Sequence, residues 1–184
     1  MAYVNRDNRC MLYKCRWSSD EANRIVPELI RVLSDEDHLL VDESLRALFV
    51  IGTPAVAAAC HVVPLISSSF PITRQLAVLA LGQIAHKRPE ICVEPMTKAL
   101  DRDDVSQNAL RILAFLGGKA TIALPAIVEK YRSEDAKTRK MVVTAVAAID
   151  AYSEMVRQLF ANAKTDCSKL VRAAADKALE WSQP

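Results

Sequence analysis

The chain has 184 residues, 51% apolar and 25% charged, with 24 Lys plus Arg against 22 Asp plus Glu and a formal net charge of +2 at pH 7. This is a folded composition for one domain or one stack of small repeats, neither disordered nor strongly polyelectrolyte. With 4 Gly, 5% aromatics, 27 Ala and 19 Leu, an all-β domain is excluded, and the near-balance of charge names no polyanionic partner.

Residues 1–18 carry Arg6, Arg9, Lys14 and Arg16 among Tyr3, Met11, Tyr13 and Trp17. They read as a basic-aromatic arm or cap, because they lack the continuous apolar stretch and small-residue cleavage site of a secretory signal. From residue 19 onward short helices end in acidic turns. Val26-Pro27-Glu28-Leu29-Ile30 leads into Ser34-Asp35-Glu36-Asp37, and Leu124-Pro125-Ala126-Ile127-Val128 leads into Ser133-Glu134-Asp135. Residues 47–73 lack any Asp, Glu, Lys or Arg and are long enough to span a bilayer. Pro54, Pro64, Pro71, His61 and the serines at 67–69 interrupt them, which predicts two helices of a soluble fold and a turn, with no membrane partner.

After each acidic turn comes a second helix rich in small and branched apolar residues, often ending in Gly. Aligning their last positions at 52, 82, 117, 147 and 180 predicts five hairpins over 19–52, 53–82, 83–117, 118–147 and 148–181, followed by a short tail at 182–184. One hairpin cannot bury both its apolar faces, whereas stacked neighbours share a continuous core. Asp37, Asp135 and Asp166 stand where second helices would begin, and Asp104 with Gln107 has capping-box spacing.

These repeats resemble the HEAT-like family, in the short variety also found in bilin-lyase subunits. The residues that carry the resemblance are Pro27, Pro64, Pro95 and Pro125 of the first helices, and Thr73-Arg74-x-x-Ala77-x-x-Ala80-Leu81-Gly82, echoed by Val171-Arg172-x-x-Ala175-x-x-Ala178-Leu179. Ser44 and Ala109 stand where the motif Arg would fall in the first and third hairpins, with Arg46 and Arg111 two positions later. The resemblance implies an all-α, right-handed α-solenoid of about five HEAT-like hairpins, with second helices lining the inner curve. It also implies that an Asp of a turn pairs with an Arg of a second helix, which makes Arg74, Arg139 and Arg172 ladder residues.

Catalytic chemistry is not indicated. His38, His61 and His86 fall in different hairpins, none with the adjacent Glu that HEAT-like di-iron hydroxylases use, and the only Gly pair, Gly117-Gly118, reads as a helix C-cap. HEAT-like DNA glycosylases surround a lesion with aromatic residues, whereas Trp17 and Trp181 lie at opposite ends of the chain. The five cysteines, Cys10, Cys15, Cys60, Cys92 and Cys167, are odd in number and lack metal-ligand spacing, so they read as reduced core residues of a cytoplasmic protein with no metal and no cofactor.

The leading expectation is a non-catalytic scaffold or adaptor that binds another protein along its inner surface through Arg46, Gln75, Gln107, Arg111, Lys140 and Lys177. Residues 55–66 are uncharged throughout, which suggests an apolar contact face at Val56, Ala59 and Val63, covered by the N-terminal arm, a partner or a second copy. Two alternatives stay open. One is a nucleic-acid module using Lys140, Lys169 and Lys177, set against a solvated face neutralised by acids such as Asp176 and Glu180; the other is an accessory subunit of an enzyme such as a chromophore lyase.

Overall fold

A computed structural model describes residues 18–86, 88–150 and 152–181. The expected arm, with Cys10, Cys15 and Trp17, and the expected tail at 182–184 lie outside the described residues. The chain divides into two compact units, Met1–Pro95 and Met96–Pro184. Every regular element among the described residues is helical.

In the first unit α1 (Ser19–Val32) and α2 (His38–Ile51) form a hairpin. Thr53–Ser67 follows as a 3-10 segment, one α-turn (α3, Ala59–Val62) and a second 3-10 segment, and then comes α4 (Pro71–Ile84). α5 (Pro89–Ala99) contains the unit boundary. The second unit holds α6 (Asp103–Leu116), a 3-10 segment Gly117–Ala123, α7 (Leu124–Glu129), α8 (Ala136–Ile149), α9 (Glu154–Lys164) and α10 (Lys169–Trp181).

Side-chain caps set the starts of α1, α2 and α8. Ser18 and Glu21 form a reciprocal capping box, which holds the Glu21 carboxyl below its ordinary range through the bonds from Ser18. Asp37 accepts from Leu39 N at 2.9 Å, and Asp135 accepts from Lys137 N and Thr138 N at 3.1 and 3.0 Å. The capping box expected from Asp104 and Gln107 is not formed. Arg102 stands at that cap without a side-chain bond, and Gln107 donates instead to Asp135 and Thr138.

The second helices α2, α4, α6 and α8 are each 14 residues long and α10 is 13, beginning at residues 38, 71, 103, 136 and 169. Two end later than the glycine alignment predicts. α4 runs through Gly82 to Ile84 and α8 runs through Ala147 to Ile149, because each must continue to place a branched apolar residue, 0% and 6% exposed, in the core. Of the motif prolines, Pro125 falls in the first turn of α7, Pro27 and Pro95 lie inside α1 and α5, and Pro64 sits in a 3-10 segment.

In the first unit α2 packs on α4, with Leu45, Leu48, Ala77, Val78 and Leu81 fully buried. In the second unit α8 packs between α6 and α10, around Leu110, Leu113, Val142, Val143 and Val146. Ala77, Ala80 and Ala109, at 0% exposure, let neighbouring helices approach closely. The chain between Asp103 and Arg132 is apolar enough on average to cross a membrane, but its course breaks at Gly117 and at Ala120, and it buries Leu110, Leu113 and Ile127.

Gly52 and Gly117, 65 residues apart, have φ of 67° and 58° with ψ of −132° and −140°, a region that residues with a Cβ avoid. Each turns the chain out of a second helix into a 3-10 segment kinked at a buried alanine, Ala55 or Ala120. Gly52→Ala and Gly117→Ala should each cost about 1–2 kcal/mol, whereas Gly118→Ala, at negative φ with no atom closer than 3.7 Å to the added Cβ, should be near neutral. Urea-unfolding midpoints of the three variants check this.

Candidate functional site

The second helices share a register, counted here from zero at each first residue. Position 3 holds Val41, Arg74, Ser106, Arg139 and Arg172, so the residues equivalent to the motif Arg in the first and third hairpins are Val41 and Ser106 rather than Ser44 and Ala109. Ser44 and Ala109 belong to the buried position of Ala77 and Val142.

The three arginines are built into the fold. Each donates from Nη1 to the carbonyl six residues back, in the turn before its own helix: Arg74 to Ser68 at 2.7 Å, Arg139 to Ser133 at 2.9 Å and Arg172 to Asp166 at 2.7 Å. Arg139 also pairs with Asp166 of the following turn through two parallel bonds of 2.8 and 2.9 Å, the ladder contact that the repeat type implies. Asp166 further accepts from the Tyr131 hydroxyl and the Ser168 amide, both at 2.8 Å, and its side chain is 6% exposed. The Arg139 guanidinium holds this carboxyl far below the carboxylate range, and the same bond holds Arg139 above its ordinary value. Burial, then the bond to Asp166, pushes the Tyr131 hydroxyl up to about 12.

The six residues expected to contact a partner occupy positions 4 and 8, one turn apart on a single helix face. Position 4 carries Asp42, Gln75, Gln107, Lys140 and Ala173, and position 8 carries Arg46, Leu79, Arg111, Thr144 and Lys177. Gln75, Arg111, Lys140 and Lys177 are exposed, and Arg46 is half-buried with Glu43 at 4.0 Å. Gln107 is committed elsewhere: its amide bonds Asp135 and Thr138 at 3.2 and 3.3 Å, as Asp42 accepts from Thr73 at 2.7 Å one period earlier, so both tie a second helix to the next.

Grooves open beside this stripe. Between α2 and α4 a groove of about 190 Å³ is lined by Arg46, Phe49, Leu76 and Leu79. Between α8 and α10 a groove of about 390 Å³ brings Lys140 and Thr144 together with Lys177, over Ala147, Ala173 and Leu170. Lys169 does not line it, so the expected basic stripe is shortened to two lysines. Phe49, Leu79, Thr144 and Leu170 were not singled out by sequence reasoning; counting register from the helix start, rather than from the terminal Gly, finds Leu79 and Thr144, both at position 8. A larger hollow of about 760 Å³ at the turns of the second unit is lined by side chains already paired, such as Lys130 with Asp103 and Gln107 with Asp135.

A designed armadillo repeat protein in complex with peptide (KR)4 is similar over 97% of this chain and 92% of its own, with a TM-score of 0.74 and 18% identity. The fold is that of the armadillo-repeat solenoids. An engineered protein matches with TM-score 0.69 and 21% identity over 95% of this chain and 88% of its own. A computationally designed armadillo repeat protein for modular peptide recognition matches with TM-score 0.67 and 18% identity over 98% and 95%. No family model and no curated protein matches the sequence.

Within this armadillo-type fold one of the three residues expected on the apolar contact face turns inward. Ala59 is 3% exposed and belongs to the core, while Val56 and Val63 are half-buried. The segment breaks into 3-10 and α turns whose outward residues are Ala57, Cys60, His61 and Pro64. Cys92 is a core thiol, its pKa raised by burial to about 11, but Cys60 and Cys167 are exposed, contrary to the expectation for all five. His38 stacks on Phe70, and His61 Nδ1 lies 3.2 Å from Cys60 Sγ. No group of three or more His, Cys, Asp or Glu able to hold a metal occurs among the described residues.

Ala59→Glu should cost about 3 kcal/mol or more and abolish cooperative melting, whereas Cys60→Glu, exposed next door, should leave the melting temperature near that of the parent. Arg139→Met should cost about 3 kcal/mol in urea unfolding, because it strands a buried carboxylate. Asp166 has a depressed folded pKa, so its contribution is present above its ordinary value of 3.8 and lost as pH falls below it. Tyr131 has a raised one, so its contribution is present below 10 and lost as pH rises toward about 12. Asp166→Asn should flatten the acid limb of stability against pH, and Tyr131→Phe the alkaline limb.

Proposed function

We propose that this chain is a non-catalytic scaffold or adaptor that binds a segment of another protein along the inner surface expected of its second helices. The observation that carries the reading is the division of labour within those helices. In α4, α8 and α10 position 3 is an arginine bonded to its own turn, in α2, α4, α6 and α8 positions 6, 7, 10 and 13 belong to the core, and positions 4 and 8 carry exposed Gln75, Arg111, Lys140, Thr144 and Lys177, with grooves of about 190 and 390 Å³ beside them. Side chains repeated at the helix spacing of about 8–10 Å suit an extended segment, which offers side chains to one face about every 7 Å. The fold likeness to designed proteins made for peptide recognition supports the same reading.

The contact residues in this proposal are Arg46, Gln75, Arg111, Lys140 and Lys177, with Phe49 and Leu79 as apolar neighbours. The test is selection of binders from a random peptide library on the purified chain, followed by amide chemical-shift mapping of the tightest one. Shifts concentrated around Arg46, Arg111, Lys140, Thr144 and Lys177 are expected. Shifts confined to first helices, around Glu129 and Arg157, would overturn the assignment.

A further inference from the structure

Side-chain bonds between second helices fix which flank of each helix looks back toward the preceding one. Thr73, at position 2 of α4, donates to Asp42 at position 4 of α2, and Gln107 at position 4 of α6 donates to Thr138 at position 2 of α8. Position 2, with position 9 two turns on, therefore faces the preceding second helix, and position 7 lies on the other flank. At position 9 Ala80, Ala145 and Ala178 are 0%, 1% and 3% exposed, each packed on a second helix before it, α2, α6 and α8. Ala47 of α2 is 2% exposed, although no second helix precedes α2 among the described residues. The other end of the series is finished differently. Position 7 is 0% exposed at Leu45, Leu110 and Val143, but α10, the last described helix, carries exposed Asp176 there. The forward flank of α10 is thus made to meet water, whereas the backward flank of α2, with Leu40 and Ala47, is apolar and needs a cover.

From this asymmetry we propose that residues 1–17 of this chain dock on the backward flank of α2, over Leu40 and Ala47, as its terminal cover. Attachment, reach and chemistry select this segment over a second copy or another protein. The α1–α2 hairpin returns Ser18, to which residue 17 is joined, to the Ile51 end of α2. The 14 residues of α2 are about 21 Å long, a distance that about seven extended residues span. Tyr3, Val4, Met11, Leu12, Tyr13 and Trp17 supply apolar contact. The segment has four bases against one acid, and the hairpin it would cover, residues 18–52, has eight acids against three bases. A tethered segment also meets the flank at an effective concentration of about a millimolar, which a free partner does not match. The proposal does not depend on the partner face, which lies at positions 4 and 8.

Cys10 and Cys15 of the segment provide the probe. Full-length Leu40→Cys, Ala47→Cys and, in the α2–α4 groove, Leu79→Cys are oxidised with copper-phenanthroline at low protein concentration, and disulfide-linked peptides are identified by mass spectrometry. Links from Cys10 or Cys15 to residues 40 and 47 within one chain should exceed links to residue 79 at least about tenfold, since a disulfide needs its two Cα atoms within about 7 Å. Circular dichroism of the reduced variants identifies any that has lost the fold, and the half-buried Leu40 site carries the test if Ala47→Cys has. In amide exchange, Leu40→Asp should speed exchange across residues 1–17 about tenfold, whereas Leu39→Asp, next door at 57% exposure, should leave it unchanged. Equal linking to all three sites would overturn the seating of the segment. Disulfides joining residue 40 to residue 40 of another chain would replace the segment by a second copy. No link from the segment to the flank, with residues 1–17 of the parent exchanging at unprotected rates, would overturn the proposal outright.

Discussion

Burial around most of the circumference of α2, α4, α6 and α8 governs this structure. In α2, α4, α6 and α8 positions 6, 7, 10 and 13 are all buried, and they spread around the helix far beyond a single amphipathic stripe. α8, packed between α6 and α10 with α7 behind it, leaves Lys140 and Thr144 at positions 4 and 8 facing water. The length of the helices follows from the same demand: each must reach position 13, where Ile51, Ile84, Leu116 and Ile149 close the far edge of the core. Alanine at many of the buried positions keeps the layers close, so a bulkier residue there would push two helices apart together.

Polar groups then fix what packing leaves loose. The arginines at position 3 satisfy turn carbonyls that would otherwise face half-buried surroundings unpaired. Asp166 gathers Arg139, Tyr131 and Ser168 onto one carboxylate, and this joins the turn after α9 to both helices of the preceding hairpin. The side-chain bonds Thr73 to Asp42 and Gln107 to Thr138 set the sliding register between consecutive second helices. Side chains at positions 4 and 8 are therefore carried on helices held in register within each unit.

The helical repeats were legible because apolar periodicity, acidic turns and the Thr73-Arg74 and Val171-Arg172 motifs all report local structure. Helix ends were less so: Gly82 looks like a stop, but Ile84 beyond it is needed in the core. Anchoring the alignment on glycines also displaced the motif Arg by three positions in two hairpins, to Ser44 and Ala109. Gln107 was expected on the partner face and is spent on Asp135 and Thr138, a contact between residues 28 and 31 apart in sequence that local spacing does not reveal. Ala59 misled for a related reason: an uncharged run looks unpartnered until its breaks at Ala55 and Val63 show which small residues turn inward. Lys140 and Lys177, chosen only as polar positions on second helices, do meet across one groove.

The two left-handed glycines have a consequence for how such a chain grows. Gly52 and Gly117, Ala55 and Ala120, Thr73 and Thr138, and Arg74 and Arg139 are all separated by the same 65 residues, twice the hairpin length. The natural module is thus a pair of unlike hairpins, one entered through a glycine elbow and one with a straight first helix. Inserting or deleting a whole pair preserves the alternation of the two hairpin types along the chain. Adding a single hairpin would set two of the same type side by side. Lengthening by pairs adds two second helices at a time, so side chains at positions 4 and 8 are gained in fixed steps.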